Sequence, residues 1–186
     1  MDGFGRRLFA VVCAENLRFD GWFLAFYLHV RSEILADQFE AILPLAAEWA
    51  QKQEQLILRE GAPLSPKEIA DARAVGVREP ERVRVLLVDE IPAPPDALLK
   101  AATAETVFFP EGPSGLTLDH GIFIRRDCRT DRHLVVHELV HTSQYERLGG
   151  IAPFLRDYLT ECASFGYRNA PLEREAEEIA AQICAK

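Results

Sequence analysis

His137 and His141 stand four residues apart in a segment whose other members are mainly apolar, Leu134-Val135-Val136 and Leu139-Val140. Residues four apart lie one above the other on one face of an α-helix, so both imidazoles can present a nitrogen atom to the same ion. The apolar flanks indicate that this helix is buried in a core. Either Thr130 or Asp131 can cap its start. The segment therefore predicts a buried helix that brings two imidazole groups together.

Glu138, beside the two histidines, completes an HExxH pattern. A catalytic zinc site needs three protein ligands and an open position for water, whose pKa the ion lowers to about 7. Glu138 is placed to take the proton of that water. The motif supplies two Zn²⁺ ligands and a base, and a third ligand must come from elsewhere. Chance spacing of two histidines on a structural helix is the alternative for the motif taken alone.

A carboxylate-rich segment near the end of the chain can supply that ligand. It begins at Pro171, and one helical face of it carries two acids and two small residues, Glu173, Ala176, Glu177 and Ala180. The alanines would let this helix approach the HExxH helix closely. The alternative is a solvated acidic face with i,i+4 ion pairs, which is how we interpret Glu175 and Glu178.

The HExxH motif followed by Glu-x-x-Ala, an acid and x-x-Ala resembles the gluzincin clan of metallopeptidases. That clan includes thermolysin and small intracellular peptidases that cleave phage or stress repressors. The resemblance spans His137 to about Ala181, under a third of the chain. It implies that Glu173 is the third ligand and that Glu177 is the acid that orients a ligand histidine. The usual residue in that orienting role is Asp or Asn, so Glu177 departs from the pattern.

The resemblance also implies an edge strand that binds the substrate backbone, and Gly121–Arg125 stands at the expected place before the HExxH helix. Glu161 is the competing third ligand, because it follows His141 at a spacing that thermolysin-like enzymes also use. Four residues beyond Glu161 is Phe165, which cannot orient a histidine. Glu173 is therefore favoured over Glu161.

A peptidase also needs a donor that stabilises the oxyanion formed when a carbonyl is attacked. The sequence offers Tyr167 as first choice, with three alternatives that it does not rank: Tyr158, His120 and His133. We expect the catalytic residues to be Glu138 and Tyr167.

The N-terminal part, residues 1–80, is predicted to be mainly helical. From Glu33 to Leu58 the spacing of apolar residues indicates one buried helical stripe, formed by Leu35, Phe39, Ile42, Ala46, Trp49 and Leu56. Pro44 is expected to kink or split that helix. Ser65, Pro66 and Glu68 form a capping box with proline at the first helical position, which predicts a helix from there to about Ala74.

The second part, residues 81–186, is predicted to be a metallopeptidase-like core. Strands are expected at Val83–Val88 and at Thr106–Phe109, with a short helix at Asp96–Ala102 between them. Leu116–Arg125 alternates as a hairpin that turns near His120-Gly121, and Asn169 with Pro171 opens the last helix. The expected fold is α+β: a small mixed sheet with an edge strand, and a zincin-type HExxH helix packed against the C-terminal helix.

The composition limits the classes of partner that the chain is expected to bind. Nearly half of the 186 residues are apolar, which suits a single domain spanning residues 1–186. The net charge is −8, with no basic stripe, so nucleic acid is not an expected partner. The apolar run Leu8–Ala14 is too short for the core of a secretory signal. The run Trp22–Val30 is too short for a membrane span, so no membrane partner is expected. Four scattered cysteines suggest reduced thiols and a cytoplasmic protein.

The function predicted from these observations is zinc-dependent hydrolysis of a peptide or protein substrate, with a metal-bound water activated by Glu138. The alternative is a zinc-binding regulatory or interaction module that keeps the ligands without turnover. The intact Glu138 favours the enzyme. The sequence leaves the substrate and the oligomeric state open.

Overall fold

The computed structural model describes residues 21–94 and 113–185. The helices are α1 (Gly21–Glu60), α2 (Pro66–Ala74), α3 (Arg132–Leu148), α4 (Ile151–Phe165) and α5 (Pro171–Cys184). The strands are β1 (Ala62–Pro63), β2 (Arg84–Val88), β3 (Gly115–Leu118) and β4 (Gly121–Arg125). The α+β prediction is confirmed, whereas the helix predicted at 96–102 and the strand predicted at 106–109 lie outside the described residues.

Backbone contacts divide the chain into two compact units, Met1–Glu40 and Ala41–Lys186. Every side chain discussed below belongs to the second unit. None of the helices in the described ranges is both long enough and apolar enough to cross a bilayer. Cys128, Cys162 and Cys184 are free thiols.

Helix α1 continues through Pro44, so the prediction that the proline splits the helix is wrong. Its buried face also lies one residue later than the predicted stripe and consists of Leu43, Ala47, Ala50 and Ile57. The predicted positions Ile42, Ala46, Trp49 and Leu56 flank that face and are half-buried. Because alanines occupy the centre of the contact, α1 can approach its neighbours closely, and the bulkier side chains stay at the margins.

The sheet has the strand order β1-β2-β4-β3. β3 and β4 form the predicted antiparallel hairpin, with Asp119 and His120 at its turn, and β4 pairs in parallel with β2 along its whole length. β4 is therefore an interior strand, and the prediction that Gly121–Arg125 is the edge strand is wrong. The hydrogen bonds to β2 occupy the side of β4 that an edge strand would leave free. The edge position beside the HExxH helix belongs to β3.

Helix α3, which carries HExxH, packs against both the sheet and α5. Val136, Leu139 and Val140 are fully or almost fully buried, and Ala176 and Ala180 of α5 have no exposed surface. The predicted contact between the HExxH helix and a small-residue face of the last helix is confirmed. Burial of each such valine or leucine contributes about 1.5–3 kcal/mol, so the site is built on the best-packed part of the core.

Local capping signals fix where the helices begin. Ser65 and Glu68 form the predicted capping box at α2. Asp131, one of the two predicted caps of α3, accepts hydrogen bonds from the backbone of His133 and Leu134 at 2.9 and 3.2 Å. At α5 the predicted opening by Asn169 is wrong, because Asn169 lies in a 3₁₀ turn that precedes the helix.

Candidate metal centre

Two turns of α3 and the first turn of α5 converge on one point. Nε2 of His137 and Nε2 of His141 lie 3.1 Å apart. The carboxylate of Glu173 approaches both rings, with Oε2 at 3.4 Å from Nε2 of His137 and Oε1 at 3.5 Å from Nε2 of His141. A tetrahedral zinc ion with bonds of about 2.0–2.1 Å sets its ligand atoms about 3.3 Å apart. The three atoms therefore have the mutual spacing of ligands around one such ion.

The outer nitrogen of each ring fixes which nitrogen faces the centre. Nδ1 of His141 lies 2.8 Å from Oε1 of Gln144, an acceptor, so Nδ1 carries the proton. Nδ1 of His137 faces the Glu177 carboxylate at 3.6 Å. Nε2 of each ring then faces the other ring and the Glu173 carboxylate, and the hydrogen bond between His137 and Glu173 places a proton in this group. A cation at the centre would take the place of that proton.

Glu173 is held in place by tyrosine. The hydroxyl of Tyr158 donates a 2.6 Å hydrogen bond to Oε1 of Glu173, and the ring of Tyr158 stacks on Phe154 with centroids 5.3 Å apart. The side chain of Tyr167 also hydrogen bonds with Glu173. Both tyrosines remain neutral donors, since burial and the adjacent Glu173 charge raise the pKa of each phenol above its ordinary range. The third candidate ligand thus carries its own support.

The charged groups of the cluster shift one another's pKa values toward the charged forms. Burial alone would raise the pKa of Glu173, but the hydrogen bond with His137, the charge of His141 and the Tyr158 hydroxyl outweigh it and lower that pKa. Burial likewise opposes protonation of His137, yet Glu173, Glu138 and Glu177 together raise its pKa. The centre therefore has a negative potential that favours a cation.

Glu138 occupies the interface between α3 and the edge strand β3. It is buried, and its Oε2 lies 2.6 Å from the hydroxyl of Thr117, which also lies 3.0 Å from the Glu138 main-chain oxygen. Gly115 makes room for the carboxylate, because a Cβ at that position would lie 2.8 Å from Cδ of Glu138. The base candidate is therefore fixed between a hydroxyl and a bare stretch of backbone.

The other predicted residues have different positions. Glu161 does not join the ligand group: its Oε2 accepts a 2.8 Å hydrogen bond from the backbone nitrogen of Leu172 and so caps α5. Glu177 is 62% exposed and lies between Nε2 of His133 at 3.4 Å and Nδ1 of His137. Among the alternative donors, His133 faces Glu177 and His120 belongs to a separate acidic cluster.

Gln144 is the residue of the site that sequence reasoning missed. Beyond its contact with His141, it donates to the Leu172 carbonyl and to Oε2 of Glu175, both at 2.9 Å. Glu175 also binds Arg147 at 2.6 and 2.7 Å, so it links α5 to α3 and is not the solvated residue expected. Glu178 does form the expected i,i+4 pair, with Arg174. The sequence signal that could have identified Gln144 is its position, three residues after the candidate ligand His141.

No family model, curated protein or solved structure matches this chain. The function must therefore be argued from the site.

The donor set fits zinc. Two imidazole nitrogens and one carboxylate oxygen are ligands that Zn²⁺ commonly takes, and all three atoms lie within 4.8 Å of one another. The three side chains leave a fourth position of a tetrahedron free of described protein ligands, as a catalytic site requires. His137, His141 and Glu173 would hold the ion, while Gln144, Glu177 and Tyr158 would orient those ligands.

Proposed function

We propose that this chain is a zinc-dependent peptidase of the gluzincin type. The observation that carries the proposal is the convergence of His137, His141 and Glu173 beside a buried Glu138. The two Nε2 atoms lie 3.1 Å apart, Oε2 of Glu173 lies 3.4 Å from Nε2 of His137, and Oε1 lies 3.5 Å from Nε2 of His141. A bound zinc ion supplies a Lewis acid that polarises a carbonyl and acidifies water.

Glu138 is the general base in this proposal. Its carboxylate lies on the residue next to a ligand histidine, and Thr117 holds one of its oxygens by a hydrogen bond. A carboxylate in such a position accepts a proton from the attacking water and passes it to the leaving amine. The fixed geometry limits the reorganisation that the proton transfer requires.

The edge strand β3 favours a peptide as substrate. Within the described ranges β3 pairs only with β4, so its other edge has backbone donors and acceptors for an extended chain. Thr117 of this strand contacts Glu138 directly, which brings any peptide paired there next to the base. Tyr167, which hydrogen bonds with Glu173, is our candidate to stabilise the oxyanion, and Tyr158, which donates to the same carboxylate, is the alternative.

The test uses metal content and product analysis together. The purified protein should hold about one zinc ion in this centre. Incubation with a peptide library derived from a digested proteome, followed by mass spectrometry of new amino termini, should reveal cleavage that a chelator abolishes. Glu138→Gln should keep the metal and lose the cleavage, because the amide is nearly isosteric but accepts no proton.

Glu178→Gln is the matched control, since Glu178 is exposed and pairs only with Arg174 among the contacts described. It should keep both zinc and cleavage. Cleavage by Glu138→Gln at the parent rate would reject Glu138 as base. A zinc-loaded parent that leaves every peptide intact would favour the alternative of a metal-binding module without turnover.

A further inference from the structure

His120 lies at the centre of a second cluster that the peptidase chemistry does not use. It is 4% exposed and occupies the turn between β3 and β4. Four carboxylates lie around it: Glu54 from α1, Glu79 from the segment before β2, Asp119 from the turn and Glu146 from α3.

Glu146 determines the tautomer of the His120 ring. Its carboxylate accepts hydrogen bonds from the backbone nitrogens of Arg78 and Glu79, at 2.6 and 3.1 Å. Nε2 of His120 lies 3.1 Å from Oε1 of Glu146. Since a carboxylate accepts, Nε2 carries a proton, and Nδ1 offers an unshared electron pair whenever the ring is neutral.

That Nδ1 atom is buried and has no hydrogen-bond partner. It lies 3.1 Å from Oδ1 of Asp119, at ligand-to-ligand spacing but without the geometry of a hydrogen bond. A carboxylate oxygen of Glu54 completes a group whose three atoms lie within 4.8 Å of one another. Glu54 accepts a hydrogen bond from the backbone of His120, so its carboxylate is held beside the ring, and a cation among the three atoms would pair the buried nitrogen that has no partner.

We propose that Glu54, Asp119 and His120 form a second site for a divalent metal ion of the zinc class, with Glu146 holding the ring in the ligating orientation. Imidazole and carboxylate are the ligands that zinc and its neighbours accept. A carboxylate that accepts the opposite ring proton is the usual support of a ligand histidine. Arg82, the nearby guanidinium, donates to Glu79, and its charge offsets part of the charge of Glu54 and Asp119.

The second site is separate from the first. Glu146 lies five residues after His141, which on an α-helix is about 7.5 Å along the axis and about 140° around it. The two centres therefore occupy different faces of α3. An ion at the second site would join α1 to the β3–β4 turn and so fix the end of the edge strand.

Zinc titration of the full chain, with stoichiometry from elemental analysis after gel filtration, tests the site independently of the peptidase proposal. The parent should bind two ions, and His141→Ala, which disables the first centre, should bind one. His120→Gln and Glu54→Gln should each lose the second ion, with affinity there weakened by more than about 100-fold, beyond the usual cost of losing a supporting contact.

Added Zn²⁺ should raise the melting temperature of His141→Ala but not of His141→Ala combined with Glu54→Gln. Two ions in both His120→Gln and Glu54→Gln would overturn the proposal, as would a His141→Ala protein that binds none. If His120→Gln fails to fold, zinc-edge anomalous diffraction of the parent decides: a peak between Glu54, Asp119 and His120 supports the site, and its absence at saturating zinc rejects it. One ion in the parent, retained by His141→Ala, would reject the first centre and keep the second.

Discussion

The hydroxyl of Tyr158 donates a 2.6 Å hydrogen bond to the carboxylate of Glu173. The two residues come from different helices, α4 and α5, and the bond is a direct link from α4 to a proposed metal ligand, beside the edge-on contacts of the Phe154 and Tyr158 rings with His141. Helix α4 therefore contributes to the centre without supplying a ligand. Its role is to hold Glu173 at the distance from the two histidines that a metal ion requires.

Tyr158→Phe should weaken zinc binding by about 10 to 100-fold, the usual cost of losing a group that orients a ligand. The ring contact with Phe154 survives the change, so the melting temperature of the metal-free protein should stay close to that of the parent. Competition with a chromophoric chelator measures the affinity. Unchanged affinity would mean that Glu173 needs no support from α4.

Glu173→Gln and Glu161→Gln should differ in what they damage. The first removes a proposed ligand and should abolish tight zinc binding while leaving the fold intact. The second keeps an amide oxygen that can still accept from the Leu172 nitrogen but removes a negative charge at the start of α5, so it should cost less than about 1 kcal/mol of stability with zinc affinity preserved. Chelator competition and urea unfolding of both variants separate the two effects. Loss of zinc from Glu161→Gln alone would reverse the ligand assignment.

Gln144→Leu should reduce zinc affinity by about 10 to 100-fold, because Nδ1 of His141 loses its acceptor and the ring can turn away from the centre. It should also lower stability, since the Gln144 bonds to Leu172 and Glu175 are lost. A variant with parent affinity for zinc would show that packing alone orients His141.

Local sequence patterns predicted part of the site but not the features that depend on contacts between distant segments. Helix periodicity sufficed to predict that His137 and His141 share one face, whereas Glu173 lies on another helix and was predicted from the resemblance to gluzincins and from the small-residue face of α5. The edge strand was misplaced because strand order depends on the parallel pairing of β2 with β4, which joins distant segments. Gln144 was missed for a different reason: its partner His141 is adjacent, but a polar residue at that position is equally typical of a helix end.

A different kind of signal accounts for the exact start of α2. Serine, proline and glutamate at fixed positions specify the capping box within four residues, so no tertiary information is needed. The buried face of α1 required more than periodicity. Ala50 was passed over for its larger neighbour Trp49, although close packing of helices favours small residues at the contact.

Glu68 should make stability depend on pH. Burial alone would raise its pKa, but bonds from Ser65 and the ion pair with Arg129 at 2.5 Å outweigh it and lower that pKa. A lowered carboxyl pKa stabilises the fold above the unfolded value of about 4.3, and the contribution disappears as the pH falls through the folded value. Glu68→Gln should therefore cost about 1 kcal/mol at pH 7 and less at pH 3.

Urea unfolding at the two pH values measures the difference, with Glu81→Gln as control. Glu81 is exposed and pairs with the exposed side chain of Arg73, so its loss should change stability little at either pH. An equal loss for Glu68→Gln at pH 7 and pH 3 would show that its charge has no part in holding α2.

Gly115 has no side chain where the carboxylate of Glu138 lies, so the residues at these two distant positions of the chain constrain each other. A larger residue at 115 would push the proposed base out of its place. A shorter acid at 138 would not relieve the clash, because a Cβ at 115 would still lie 2.9 Å from Cγ of residue 138. For a designer who wants to move the base, the adjustable part is therefore the strand, and the histidine motif can stay as it is.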